Sequence, residues 1–231
     1  MGESDQKGKL SAHAIIAVTG AAKLALKGYA PTVNIEHGIE EDHPSVKKED
    51  FPWNLFPLKE SPEIILGADV INVVRDTEDG QLIQYIEIPW LAIAEEILRN
   101  PEFLFEFDPR KFEEFIAASY DREGWEAELT PRSADGGRDV IATRNDFGSI
   151  RVYDEVKRYG KGERVAAEKV RALSGVVHGH QNVSKGIVTT TAKFAPGVWT
   201  DPAIAPLMPH RLELRDGERL IEWIASLRDK N

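Results

Sequence analysis

The 231-residue chain contains no cysteine. That absence excludes disulfides, thiolate metal sites and a cysteine nucleophile, and it fits a reducing cytoplasm. No run approaches the ~18 apolar residues that a membrane-spanning helix requires. The N-terminus also lacks a signal-peptide pattern. An apolar-rich stretch over residues 14–26 is interrupted by Thr19 and Lys23 and closed by Lys27, and no small-residue cleavage site follows it. These absences predict a soluble, cytoplasmic protein with no membrane attachment. Positive charge is scarce too: 29 Lys and Arg stand against 39 Asp and Glu, a net charge of −10. Taken over the whole chain, that balance argues against a general nucleic-acid binder.

What is present is enough for a folded protein. Hydrophobic residues make up 42% and charged residues 29% of the chain, so it can bury a core and is not a disordered polymer. The length allows one large domain or two small ones. The charge is uneven. Residues 1–100 carry 9 Lys and Arg against 17 Asp and Glu, whereas residues 129–193 carry 12 against 7, a local balance of +5. Phosphate binding follows the local field, so this basic stretch can still serve nucleic acid.

Asn100-Pro101 breaks a helical stretch and Asp108-Pro109 starts another, and the natural division lies near residues 99–108. The expected domains are a smaller, acidic α+β domain over residues 1–100 and an α/β domain over residues 101–231. In the first, the pattern predicts a helix over 11–27 closed by Gly28, an irregular Pro-rich stretch over 31–62, and two apolar runs at 64–75 and 82–88. Asp79-Gly80 between those runs signals a hairpin. A helix over 89–99 follows. In the second, Asp108 as N-cap, Pro109 at the first helical position and Gly124 at the end delimit a helix over 109–123. Strands are expected at 125–130, 138–144 and 150–159. A helix over about 163–177, strands at 186–191 and 211–215, and a helix over 217–228 complete the order. This succession predicts a mixed central sheet flanked by helices on both faces.

Two segments carry chemistry. Ser133-Ala-Asp-Gly-Gly-Arg-Asp139 leads into the strand that begins Val140-Ile-Ala142, and Asp154-Glu-Val-Lys157 lies inside the next strand. Residues two apart on a strand leave the same face, so Glu155 and Lys157 project together while Val152 and Val156 project to the other side. A short hairpin would bring Asp139 beside Glu155. Two carboxylates offer hard oxygen ligands to a divalent cation such as Mg²⁺. A lysine beside them can orient or deprotonate a water and offset charge developing on a phosphate. A turn with two adjacent glycines, Gly136 and Gly137, lets backbone approach a nucleic-acid strand closely. Singly, an Asp-Gly-Gly turn and a Glu-x-Lys pair are common surface features; their convergence on adjacent strands is the informative part.

The stretch Phe112-Glu-Glu-Phe, Gly124-Trp125, Thr130 to Asp139, Glu155-Val-Lys157-Arg-Tyr159, Gly186-Ile-Val-Thr-Thr-Thr191 and Phe194 resembles the catalytic domain of Mrr-type restriction endonucleases, within the PD-(D/E)xK nuclease superfamily. The resemblance covers roughly residues 108–228 and none of residues 1–100. It implies a restriction-endonuclease-like core in which Asp139 and Glu155 bind metal and Lys157 is the catalytic lysine. Many members carry Gln where this chain has Glu155, and Glu is the commoner residue across the superfamily. Glu113 matches a helix glutamate that often approaches the metal; a solvated Glu beside Glu114 is an equal alternative. Asp135 reads as a turn residue.

The implied activity is a Mg²⁺-dependent endonuclease, with Mn²⁺ as a substitute, that cuts double-stranded DNA in bacterial restriction or anti-phage defence. Cutting both strands requires two sites, hence a homodimer or larger assembly. Arg132, Arg138, Arg158, Lys161 and Lys193 are the candidate phosphate contacts. His178 and His180 read as residues at a helix end and Thr189-Thr190-Thr191 as a structural strand. The alternative is a nuclease-fold subunit of a larger defence complex, gated by a protein partner docked on the acidic N-terminal part, or binding DNA without independent catalysis.

Overall fold

The computed structural model describes residues 65–132, 137–146 and 148–230. The helix expected over 11–27, the Pro-rich stretch over 31–62, and Ser133 to Gly136 lie outside the described residues. The chain divides into two compact units, residues 1–68 and 69–231; almost all described residues belong to the second.

A mixed seven-stranded sheet organises that unit, in the order β1 (Ile71–Asp76), β2 (Gln81–Tyr85), β3 (Glu126–Leu129), β4 (Val140–Asn145), β5 (Ser149–Lys157), β7 (Lys185–Thr190) and β9 (Leu212–Arg215). The first five strands run antiparallel to their neighbours, and β5, β7 and β9 run parallel. A separate parallel pair joins β6 (Arg164–Val165) to β8 (Lys193–Phe194). The helices are α1 (Glu87–Arg99), α2 (Pro109–Glu123), α3 (Ala167–Gly179) and α4 (Gly217–Arg228).

The boundary expected at residues 100/101 falls inside this unit. The reason is hydrogen bonding: β2 pairs with β3 in the register Gln81↔Leu129 and Ile83↔Ala127, so the β1–β2 hairpin extends the same sheet. The helix expected from residue 163 begins at Ala167. Residues 164–165 are taken by the β6–β8 pairing, which buries the β-branched Val165 completely.

Local chemistry explains α2. The Asp108 carboxylate accepts from the backbone N–H of Arg110 at 2.9 Å, Pro109 opens the helix, and Gly124 closes it in the left-handed region at φ 99°. Its Phe112, Phe115 and Ile116 are fully buried, each contributing about 1.5–3 kcal/mol relative to exposure. Phe115 stacks on Trp90 of α1 at 5.8 Å, and the Trp90 indole donates to the Ser119 hydroxyl at 3.0 Å.

The alternation of β5 separates the two faces. Tyr153 packs in a cluster with Val170, Leu173 and Val177 of α3. Asp154, one residue on, faces α2 and accepts from the Tyr120 hydroxyl at 2.8 Å. The hydrophobic and the buried polar layers therefore lie on opposite sides of one strand.

Gly80 in the β1–β2 turn sits tight against β3. A Cβ there would lie 2.4 Å from the Leu129 carbonyl oxygen and 2.9 Å from the Thr130 Cα. Both are backbone atoms that cannot swing away. Gly80→Ala is therefore expected to destabilise the protein by about 2 kcal/mol, as overpacking does. Chemical denaturation checks this, and an unchanged midpoint would mean that the turn is not seated as described.

Candidate active site

Asp139, Glu155 and Lys157 come together at one end of β4 and β5. The antiparallel register Val140↔Asp154 sets Asp139 opposite Glu155, and the Asp139 N–H donates to the Asp154 carbonyl at 2.9 Å. The Lys157 ammonium lies 2.7 Å from Glu155 Oε1 and 3.5 Å from Asp139 Oδ2. Asp139 Oδ2 also accepts from the Val156 N–H at 2.7 Å. Asp139 is buried and Lys157 keeps about a third of its side chain exposed, at 30%. The lysine thus closes the cluster on its open side.

Burial pushes the Asp139 carboxyl up to about 7; the Lys157 charge opposes the rise, and the negative charges of Glu155 and Glu113 add to it. Burial works to lower Lys157, but Asp139 and Glu155 outweigh it and hold the ammonium more firmly charged than usual. Among the described residues, the two carboxylates Asp139 and Glu155 share the one cation Lys157. Glu155 Oε2 is buried and has no hydrogen-bond partner among the described residues. A buried carboxylate oxygen without a donor is uncommon and calls for a cation or water.

The residues fit a divalent ion with that chemistry. Among the described residues, no group of three or more His, Cys, Asp or Glu side chains stands ready to hold a metal. Two carboxylates, Asp139 and Glu155, are available. Mg²⁺ commonly takes one or two protein carboxylates and completes its shell with water and phosphate. Glu113 does not complete a triplet. Its carboxylate is held by Arg110 at 2.8 Å, and the same Arg110 nitrogen donates to the Thr130 carbonyl at 2.9 Å. Its charge reaches Asp139 while its Oε2 stays engaged with Arg110.

The five candidate phosphate contacts do not converge. Arg132 is exposed. The Arg158 Nε donates to the Phe107 carbonyl at 2.7 Å. Lys161 pairs with Glu102, and Lys193 with Glu218 at 2.6 Å. Arg138 pairs with Asp79 at 2.8 Å and lies over the Tyr153 ring at 4.8 Å. Sequence reasoning missed Asp79 and Arg151 in this neighbourhood, and it missed the buried set Tyr120, Asp154, Thr189 and Arg215 behind the site. The position of Asp154, on the opposite face of the strand from Glu155 and Lys157, was the available signal for the latter. His178 and His180 sit at and just beyond the end of α3, each with Nδ1 2.8 Å from a carbonyl one turn back.

A mixed sheet flanked by helices, with paired carboxylates and a lysine at the ends of adjacent strands, defines a restriction-endonuclease-like fold. A family model described as a restriction endonuclease, Mrr_cat, matches residues 104–224, just over half of the chain. The chain belongs to this Mrr-type restriction endonuclease family, a family of DNA nucleases. It is similar to an uncharacterised protein, y4cE, of Sinorhizobium fredii, with 25% identity over 162 residues, 70% of this chain and 38% of that protein. The chain thus spans well under half of that relative's length. Among solved structures it is similar to the MspJI restriction endonuclease in complex with a 27-mer oligonucleotide (16% identity, 60% of this chain and 36% of that one, TM-score 0.41). It is also similar to the DNA modification-dependent restriction endonuclease AspBHI (18% identity, 59% and 34% covered, TM-score 0.36). No helix among the described residues is long and apolar enough to cross a membrane.

Proposed function

We propose that the chain is a divalent-metal-dependent endonuclease that hydrolyses phosphodiester bonds of double-stranded DNA in restriction or anti-phage defence. The observation that carries this reading is the convergence of Asp139, Glu155 and Lys157 around one buried carboxylate oxygen that has no hydrogen-bond partner among the described residues. Asp139 and Glu155 would hold the ion, Mg²⁺ by the hardness of the oxygen donors, with Mn²⁺ able to replace it. When bound, such an ion polarises a phosphoryl oxygen and lowers the pKa of a water it holds. Lys157 would orient the attacking water and offset charge developing on the phosphate. Glu113 adds negative field from its pair with Arg110. Cutting both strands calls for two such sites, so the active form is read as a pair of chains or a larger assembly.

A second reading, gating by other parts of a longer assembly, is favoured by one observation. Three of the five candidate phosphate contacts are already paired with acids of this chain. Their availability to DNA then depends on what displaces those acids.

The test is cleavage of supercoiled plasmid. With Mg²⁺ the chain is expected to nick and linearise it, and with excess chelator cleavage is expected to stop. Asp139→Ala is expected to be inactive with Mg²⁺. Equal cutting by wild type and Asp139→Ala would sink the assignment.

A further inference from the structure

Beside the catalytic cluster, two arginines converge on one carboxylate. Arg138 Nη2 lies 2.8 Å from Asp79 Oδ1, and Arg151 Nη2 lies 2.6 Å from Asp79 Oδ2. Each guanidinium takes a different oxygen of the same group. Both also lie near one aromatic ring: the Arg138 and Arg151 guanidinium carbons are 4.8 and 5.8 Å from the Tyr153 ring centroid. Glu128, the next acid, is 4.0 Å from Arg151 and accepts from the Thr77 hydroxyl instead. The Nε–H groups of Arg138 and Arg151 are buried and have no hydrogen-bond partner among the described residues. Two fixed guanidiniums with spare donors, closing on a two-oxygen anion, have the form of a receptor for a phosphodiester, whose two non-bridging oxygens present the same geometry.

Position points to DNA. Arg151, Tyr153, Glu155 and Lys157 leave the same face of β5. Arg151 is four residues from Glu155, roughly 13 Å along the strand at about 3.3 Å per residue. Arg138 directly precedes Asp139. The receptor therefore lies a few nucleotides from the point of cleavage. Its present occupant is tethered: Asp79 sits in the β1–β2 turn that Gly80 seats against β3. It is also reachable, with a third of its side chain exposed, at 33%.

Resting on the reading of the chain as a DNA nuclease, we propose that Arg138 and Arg151 form a receptor for a DNA backbone phosphate that Asp79 occupies in the unbound chain, making the β1–β2 turn a built-in competitor of DNA. An internal anion lowers apparent affinity by the fraction of chains in which the receptor is filled. Removing it strengthens binding and adds a phosphate contact.

The experiment is equilibrium binding of the full chain to a fluorescent duplex of about 30 base pairs in excess chelator, between about 50 and 300 mM KCl, where contacts to phosphate appear as the salt slope. Asp79→Asn is expected to lower Kd about fivefold near 100 mM KCl and to steepen the slope of log K against log salt by ~0.9, the value of one neutralised phosphate. Asp76→Asn removes the same charge three residues earlier and is expected to change Kd less than twofold. In an Arg151→Gln background the gain from Asp79→Asn is expected to vanish. Arg151→Gln alone is expected to weaken binding about fivefold.

Unchanged or weaker binding by Asp79→Asn, an equal gain in Asp76→Asn, or a gain that survives Arg151→Gln would each overturn the receptor. So would failure of both wild type and Asp79→Asn to bind the duplex in the lowest salt. Thermal melts accompany each variant. Should Asp79→Asn not fold, Arg151→Gln decides alone, and an unaltered Kd and slope overturn the proposal. Because binding is read without turnover, a chain that binds as described but cuts nothing leaves the receptor standing and removes the nuclease reading instead.

Discussion

Lys157→Ala is expected to slow DNA cleavage about 1,000-fold, within the range seen when a general acid–base group or a donor to developing charge is removed. Lys157 is the cation that touches both carboxylates of the cluster, at 2.7 Å from Glu155 and 3.5 Å from Asp139. Its partial exposure lets it reach substrate from the open side. Single-turnover cleavage of plasmid in Mg²⁺ measures the loss, and duplex binding measured in parallel separates it from weakened affinity. Lys157→Arg sharpens the result. Arginine keeps the charge but does not give up a proton in proteins. If Lys157 acts only as a fixed charge, Arg restores much of the rate; if it exchanges a proton with water, Arg restores little. Alanine and wild type cutting within tenfold of one another, with the melt unchanged, would remove Lys157 from the mechanism.

Asp154→Ala is expected to destabilise the protein by about 3–5 kcal/mol, the effect of removing one partner from a buried ion pair. For a chain of this size that corresponds to a melting point lower by about 10 °C. Asp154 is 1% exposed and lies on the opposite face of β5 from Glu155 and Lys157. It accepts from the Tyr120 hydroxyl at 2.8 Å, the Thr189 hydroxyl at 2.7 Å and the Thr189 N–H at 3.1 Å. Arg215 lies 3.6 Å away, over the Trp223 ring at 3.9 Å. The group therefore joins β5, β7, β9 and α2 at one point. Burial raises its pKa to about 6, against the opposing pull of Arg215 and the hydrogen bonds. Alanine would leave three donors and a buried guanidinium without their acceptor. Asp154→Asn keeps one acceptor oxygen and is expected to lose less. Equilibrium denaturation of both variants measures the difference, and an alanine variant as stable as wild type would show that the set contributes nothing net.

Much of the site's framework was legible because it is local. The period of two on β5 places Glu155 and Lys157 on one face, and the short connection between β4 and β5 makes them antiparallel neighbours. The Asp108–Pro109 start and Gly124 end of α2 are capping chemistry within one turn. The closing helix Gly217–Arg228 follows from its cap and its buried Leu220, Ile224 and Leu227. Other features were not legible. Residues 71–85 read as part of a separate N-terminal domain, because nothing within a hairpin says which strand its outer edge will meet. The start of α3 was misplaced because Val165 satisfies a helical pattern as well as the short strand it forms.

The sequence by itself determined the family, the capped helices, the strand faces and the pairing of two carboxylates with a lysine, since each depends on residues close in the chain. Only the tertiary structure decided that the β1–β2 hairpin belongs to the sheet that carries the candidate site, and that Arg138, Arg151, Lys161 and Lys193 are matched with particular acids. The Asp79–Arg151 pair joins positions 72 residues apart. Such contacts are set by how strands order themselves and how turns seat, as at Gly80 against Leu129. A charge carries no record in the sequence of the partner that strand order will bring to it.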